Sequence, residues 1–159
     1  MSEIQGIVSE LQAIHDGNAW HGMSLQEAVE GLSADQAAAF PLAGAHSIWE
    51  IVNHMAAWEN VWLLRLQGDL NAHEPEEGDF PAVAVTSDAA WKSSLRRLNE
   101  IHHTLIEVAR GLDEARLESD LNGRDYSHRF LLRGAIRHHV YHAGQIALLR
   151  KAFATGSVV

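Results

Sequence analysis

The sequence contains no cysteine. That excludes disulfides, thiolate nucleophiles, cysteine-based zinc sites and iron–sulfur clusters together. Basic residues are scarce: 12 Lys and Arg face 21 acids, for a formal charge of −9. A nucleic-acid surface needs a basic face, so nucleic acid is not an expected partner. No stretch approaches the roughly 18 apolar residues of a membrane span. The first ten residues show neither the basic n-region nor the apolar h-region of a signal peptide. A cytoplasmic protein without a membrane partner is expected. Three prolines and few β-branched runs leave little room for a sheet. Glycine-rich phosphate loops, a GxSxG elbow and HExxH are all missing. A Ser–His–Asp triad stays open, because its members need not be neighbours in the sequence.

What remains is an ordinary globular composition, 47% hydrophobic and 21% charged over 159 residues. A chain of this length forms one domain, residues 1–159, and buries roughly 70% of its unfolded surface without a disulfide or metal. Histidine is the unusual component, with 11 copies. Imidazole titrates near neutrality and is the main soft metal ligand left to this chain.

Capping signals and apolar periodicity predict helices. Ser2 starts a helix over 3–16 with Ile4, Ile7, Val8, Leu11 and Ile14 on one face. Ser24 with Glu27 and Ser33 with Gln36 fit the capping box, in which a hydroxyl and a carboxylate or amide satisfy orphan N–H groups reciprocally. They mark two short turns. Ser47 with Glu50 opens a second long helix to about Gln67, with Ile48, Ile51, Val52, Met55 and Trp62 as its core face and Gly68 as its stop. Trp49, Trp58, Trp62 and Trp91 are expected in the core rather than as a stacking platform. A third long helix spans 88–110 behind Ser87. Its stripe is Trp91, Leu95, Leu98, His102, Leu105, Ala109 and Leu112. The last runs from about Ser127 to Ala154, after an Asn122-Gly123 turn that can form a small hairpin or flap. Residues 68–86 make a connection long enough to return over a helix of about 30 Å. Helices two and three can then run parallel, as in bundles with a crossover. The expected fold is all-α: four long helices in a bundle, with short accessory turns.

Several histidines sit where chemistry is possible. His138 and His142 are four apart, one turn up the same helix face, where two imidazoles can share a metal. In a chain with this many histidines, fewer than one such pair is expected by chance, so spacing alone does not discriminate. His54 lies beside an apolar face one turn after Glu50. A hydrogen-bonded core histidine is the commoner reading there, and helix capping the commoner role for Glu50. Gln145 lies seven residues beyond His138, nearly in line with it. His102 is expected in the core or lining a pocket, and His103 nearer the rim. His15 and His21 are expected near one end of the bundle. His46 precedes a cap, and His73 and His128 are expected in solvent.

Two segments carry a family resemblance. Residues 44–59, Gly44-Ala45-His46-Ser47-Ile48-Trp49-Glu50-Ile51-Val52-Asn53-His54-Met55-Ala56-Ala57-Trp58-Glu59, resemble the helix-two signature of the DinB-like (YfiT-like) superfamily. His138-His139-Val140-Tyr141-His142-Ala143-Gly144-Gln145-Ile146 resembles its C-terminal HxxxHxGQI signature. The DNA polymerase that shares the DinB name is unrelated. The resemblance covers most of the chain. It implies a four-helix bundle with a long crossover between helices two and three. It also implies a divalent metal held by His54, His138 and His142. Zinc or nickel is the first expectation, and iron or manganese would also accept these ligands. The family often has Asp where His139 stands, a departure that concerns the surroundings of the triad rather than its ligands. Three imidazoles with an open position match a catalytic zinc pattern. Glu50, Gln145 and Tyr141 are the candidates to position water or substrate. The activities implied are a hydrolase using metal-activated water or a transferase activating a low-molecular-weight thiol, acting on a small molecule. The alternative is a metal-dependent binding or stress-response protein without turnover. A homodimer is the expected assembly.

Overall fold

In a computed structural model that describes residues 2–154, the chain is all-helical. Seven helices are described: α1 (Glu3–Asp16), α2 (Leu25–Val29), α3 (Ala34–Ala38), α4 (Ile48–Leu66), α5 (Asp88–Arg110), α6 (Glu114–Glu118) and α7 (His128–Ala154). Four of them begin with a completed capping box. Ser2, Ser24, Ser33 and Ser47 each accept from the N3 backbone while the N3 side chain returns to the cap. Ser87 caps α5 from its hydroxyl, and Ser127 Oγ accepts from Phe130 N at the start of α7. Helix α6, capped by Asp113, was not anticipated. Its five residues are too short to carry a legible period, and buried Leu117 holds it in place.

The long helices α1, α4, α5 and α7 each pack against two of the other three. Cross-helix bonds fix their directions. Trp49 Nε1 donates to Ser94 Oγ at 2.8 Å, and Glu59 meets His102 ten residues further along α4, so α4 and α5 run parallel. Residues 67–87 therefore cross from one end to the other. By the same logic α1 and α7 run parallel: Glu3 pairs with Arg129, and Glu10 with Arg133.

The apolar interior forms two clusters. One gathers Ile48, Ile51, Val52 and Met55 with Trp91, Leu98 and Ile146. The other gathers Ile4, Ile7, Leu11 and Leu66 with Leu105, Leu117 and Leu132. Between Leu121 and Tyr126 the chain turns back through a single bridge, Asp120 to Ser127, rather than a formed hairpin. Gly123 is required there. Its φ is +69°, and an added Cβ would lie 2.8 Å from Leu70 Cδ2. His128 is buried at 1% exposure, contrary to the expectation of a solvent position. Its Nδ1 donates to the Ser119 carbonyl at 2.8 Å, which folds the ring under the turn. Among the described residues no helix is long and apolar enough to cross a membrane.

Candidate metal centre

Helices α4 and α7 run antiparallel, so the middle of α4 faces the middle of α7. His54 meets His138 and His142 there. His54 Nε2 lies 2.9 Å from His138 Nε2, and His142 Nε2 lies 3.1 Å from the same atom. The separation in sequence between His54 and His138 is 84 residues.

The outer ring nitrogens settle which inner ones carry lone pairs. His54 Nδ1 faces the Asp79 carbonyl at 2.7 Å and the Asp79 carboxylate at 3.2 Å, both acceptors, so Nδ1 holds the proton. His142 Nδ1 donates to Gln145 Oε1 at 2.6 Å. Both inner Nε2 atoms thus present lone pairs to His138 Nε2, whose one position can answer only part of that demand. An electron-pair acceptor among the three satisfies all of them. Three nitrogens on one tetrahedral metal stand about 3.3 Å apart, close to the spacing found. Ligating histidines also characteristically donate their other N–H to a carbonyl or carboxylate. The donor set fits a divalent metal.

Burial keeps His138 and His142 neutral. The His138 imidazole is lowered to about 3 by desolvation and by its His142 and His54 neighbours. That of His142 is lowered to about 4, chiefly by desolvation, with the Gln145 bond opposing. Neutral imidazole is the form that binds metal.

The crossover connection walls the site. Trp58 Nε1 donates to Asp79 Oδ1 at 2.7 Å, and Asn53 Nδ2 to the Pro81 carbonyl at 3.2 Å. These bonds pin the segment across α4. Phe80 is consequently sandwiched between His54 (4.0 Å) and His46 (3.7 Å), with the three rings nearly parallel. Trp62 meets His138 edge-on at 4.9 Å, and exposed Tyr141 meets His142 at 5.0 Å. Aromatic rings therefore surround the triad.

Of the three expected positioning residues, Gln145 touches the triad through His142, and Tyr141 stands at its edge. Glu50 completes the α4 capping box and accepts from His46 Nδ1 at 3.3 Å. It bears on the site through the His46–Phe80 stack.

The sequence reading assigned no role to Glu59, which is 1% exposed. Its two oxygens bond His102 Nδ1 at 3.0 Å and His139 Nδ1 at 2.8 Å. It had a signal: Glu59 is four residues past Met55 and eight past Ile51, in phase with the buried face of α4. Asp79 had none, being one of several acids in a loop.

A family model for the DinB superfamily matches residues 19–146. The chain belongs to the DinB superfamily. No curated protein and no solved structure matches it. The span matched to the DinB superfamily includes His54, His138 and His142 but stops short of α1. The buried three-histidine group in this DinB-family chain can hold a metal ion.

Two measurements check this picture. Replacing Gln145 with Leu removes the acceptor that fixes His142. The metal affinity of the triad should fall by about 10- to 100-fold, read by chelator competition. The second concerns acid. His15, like His138, is lowered to about 3 by burial and by the neighbouring His102 and His139. An unfolded chain takes up these protons near pH 6.5, whereas the folded one does so only near 3 to 4. Between those limits the unfolded state binds more protons, so stability falls as pH falls. Each such group contributes up to about 1.4 kcal/mol per pH unit. His102 has the opposite sign. Burial opposes its charge, but Glu59 outweighs burial and raises it, so its share is lost as pH rises through its folded value. Urea unfolding of the metal-free protein should show a clear loss of stability from pH 6.5 to 4.5, and a flat profile would contradict these assignments.

Proposed function

We propose that this protein is a metal-dependent enzyme in which His54, His138 and His142 hold a divalent ion, zinc or nickel, and that it acts on a small molecule admitted past the aromatic rim. The observation that carries this reading is the convergence of the three Nε2 atoms, with two of the rings held from behind by Asp79 and Gln145.

When bound, such a metal lowers the pKa of a coordinated nucleophile and leaves a position for it. The chain's own residues decide which nucleophile suits. The carboxylates nearest the triad already have partners: Asp79 accepts from His54 and Trp58, and Glu50 from Ser47 and His46. A nucleophile that loses its proton without help from a strong base is favoured. A thiol meets that condition more readily than water, since a coordinating thiol is deprotonated outright whereas metal-bound water still titrates near about 7. The protein supplies no thiol itself, so the thiol is a co-substrate. Transfer of a low-molecular-weight thiol to an organic electrophile is the preferred activity. Hydrolysis of a small ester or amide by metal-activated water is the runner-up, since the same metal serves both. Phe80, Trp62 and Tyr141 would seat the organic reactant, and Gln145 would keep His142 aligned during turnover.

The test loads the protein with zinc or nickel and supplies glutathione, bacillithiol or mycothiol with a panel of aryl halides and unsaturated acids. Thiol consumption that depends on the metal supports the transferase. Turnover of an ester panel alone supports the hydrolase. No turnover in either panel leaves a metal-dependent binding protein.

A further inference from the structure

Behind the triad, each long helix contributes one ionisable side chain to a single interior point: His15 from α1, Glu59 from α4, His102 from α5 and His139 from α7. Their exposures are 2, 1, 1 and 0%. His15 stacks on His102 at 4.2 Å with an 11° tilt, and His139 lies 5.3 Å from His15 and 4.7 Å from His102. One nitrogen from each imidazole falls within 4.8 Å of the other two.

Proton placement in this cluster follows from its partners. His139 Nδ1 donates to Glu59 Oε1, so its Nε2 carries a lone pair. His15 Nε2 donates to Asn99 Oδ1 at 3.2 Å, so its Nδ1 carries another. Both atoms, His15 Nδ1 and His139 Nε2, are buried without a hydrogen-bond partner in the protein. Two buried lone pairs with no donor are costly to keep. His102 faces two acceptors, Glu59 Oε2 and the Leu11 carbonyl at 2.9 Å, and therefore holds both protons. The cluster thus already balances the Glu59 charge with a cation, the His102 proton. Each of the other two imidazoles is held from behind by an oxygen acceptor, the arrangement found behind metal-ligating histidines.

We propose that His15, His102 and His139, with Glu59 balancing the charge, form a second divalent-metal site, separate from the triad. The ligand class is a transition metal that favours imidazole: zinc, cobalt(II) or nickel(II). On binding, His102 releases its Nδ1 proton to solvent and turns that nitrogen from Glu59 to the metal, whose charge takes over the role of that proton beside Glu59. The two lone pairs of His15 and His139 are satisfied in the same step. Access runs from a cavity of about 830 Å³ between α1, α2 and α5, whose lining includes His15, Asp16, Lys92 and Asn99. At its edge His103 Nε2 and Asp16 Oδ1 are 3.4 Å apart, both partly exposed, and with His15 they form an outer group of metal-ligating atoms. The site joins helices from all sides of the molecule, so its metal stabilises the fold rather than the chemistry. His15 lies outside the span matched by the family model.

The experiment uses tag-free protein at pH 7.5, dialysed against zinc and then cobalt(II), with metal counted by elemental analysis. His54→Ala removes one triad ligand. It is expected to retain about one equivalent and to lose it in His54→Ala/His15→Gln. A His54→Ala protein that binds no metal overturns the proposal, as does a double variant that keeps its equivalent. Should the double variant not fold, long-range ¹H–¹⁵N spectra of His54→Ala decide. The His15 Nδ1 and His139 Nε2 resonances must move on zinc addition, and unmoved resonances overturn the site. Failure of the triad reading looks different: wild type would bind one equivalent, which His54→Ala would retain.

Discussion

Glu59→Leu lowers the melting temperature of the metal-free protein by about 6–20 °C. Burial opposes the charge on Glu59, but the His102 charge and the bonds from His102 and His139 outweigh it and hold the carboxyl below its usual range. The pair is fully enclosed, with both side chains 1% exposed. A leucine at this position leaves the Nδ1–H groups of both His102 and His139 buried without an acceptor. The His102 imidazolium then sits in the interior with no countercharge, or gives up its Nδ1 proton and leaves the His139 N–H still unpaired. Removing one partner of a buried pair costs about 3–5 kcal/mol. For a domain of this size each kcal/mol moves the midpoint by about 2–4 °C. A thermal scan in chelator measures the shift, and a change under about 4 °C would show that His102 does not carry the charge assigned to it. The geometry at Glu59 depends on both histidines, so the effect should not be additive with substitution of His139.

His138→Ala is expected to reduce metal affinity at the triad by more than about a hundredfold, beyond the loss that follows from removing a residue that only supports a ligand. His138 is the atom to which both other imidazoles point, so its removal leaves His54 and His142 without their shared corner. Structural damage should be small by comparison. The His138 ring is half-buried, its Nδ1 has no partner in the protein, and the edge of Trp62 packs against it. Affinity and melting temperature therefore separate: the first collapses and the second barely moves. A titration of the variant should keep only the equivalent assigned to the interior cluster, and the thiol-transfer or ester activity of the loaded protein should vanish. Equal metal content and equal turnover in the two proteins would remove His138 from the site.

These two substitutions probe residues of unequal legibility. His138 was visible beside His142 at helical spacing and within a family signature. Glu59 was visible only as a carboxylate in phase with the buried face of α4. The same holds for His15, four residues past Leu11 and eight past Ile7. Its position on an apolar stripe predicts burial. In the structure His21 is exposed and His15 is among the most buried side chains. His139 points about 100° from His138 around α7, which takes it out of the triad and into the interior cluster.

The sequence by itself determined six of the seven described helices and their ends, all but the five-residue α6. Serine caps, N3 partners and terminal glycines act over three or four residues, and a helix start needs nothing from the rest of the chain to be recognised. It also placed His54, His138 and His142 on two long helices, and the length of residues 68–86 allowed the parallel crossover. Only the tertiary structure decided what the imidazoles face. Asp79 behind His54, Phe80 between two rings, and Glu59 between His102 and His139 join residues that are 25 to 80 positions apart. Such contacts are set by helix packing and by the path of a loop, so a local pattern carries no trace of the partner. For a buried ionisable group the partner decides everything: whether it is charged, which nitrogen keeps the proton, and which lone pair is left for a metal.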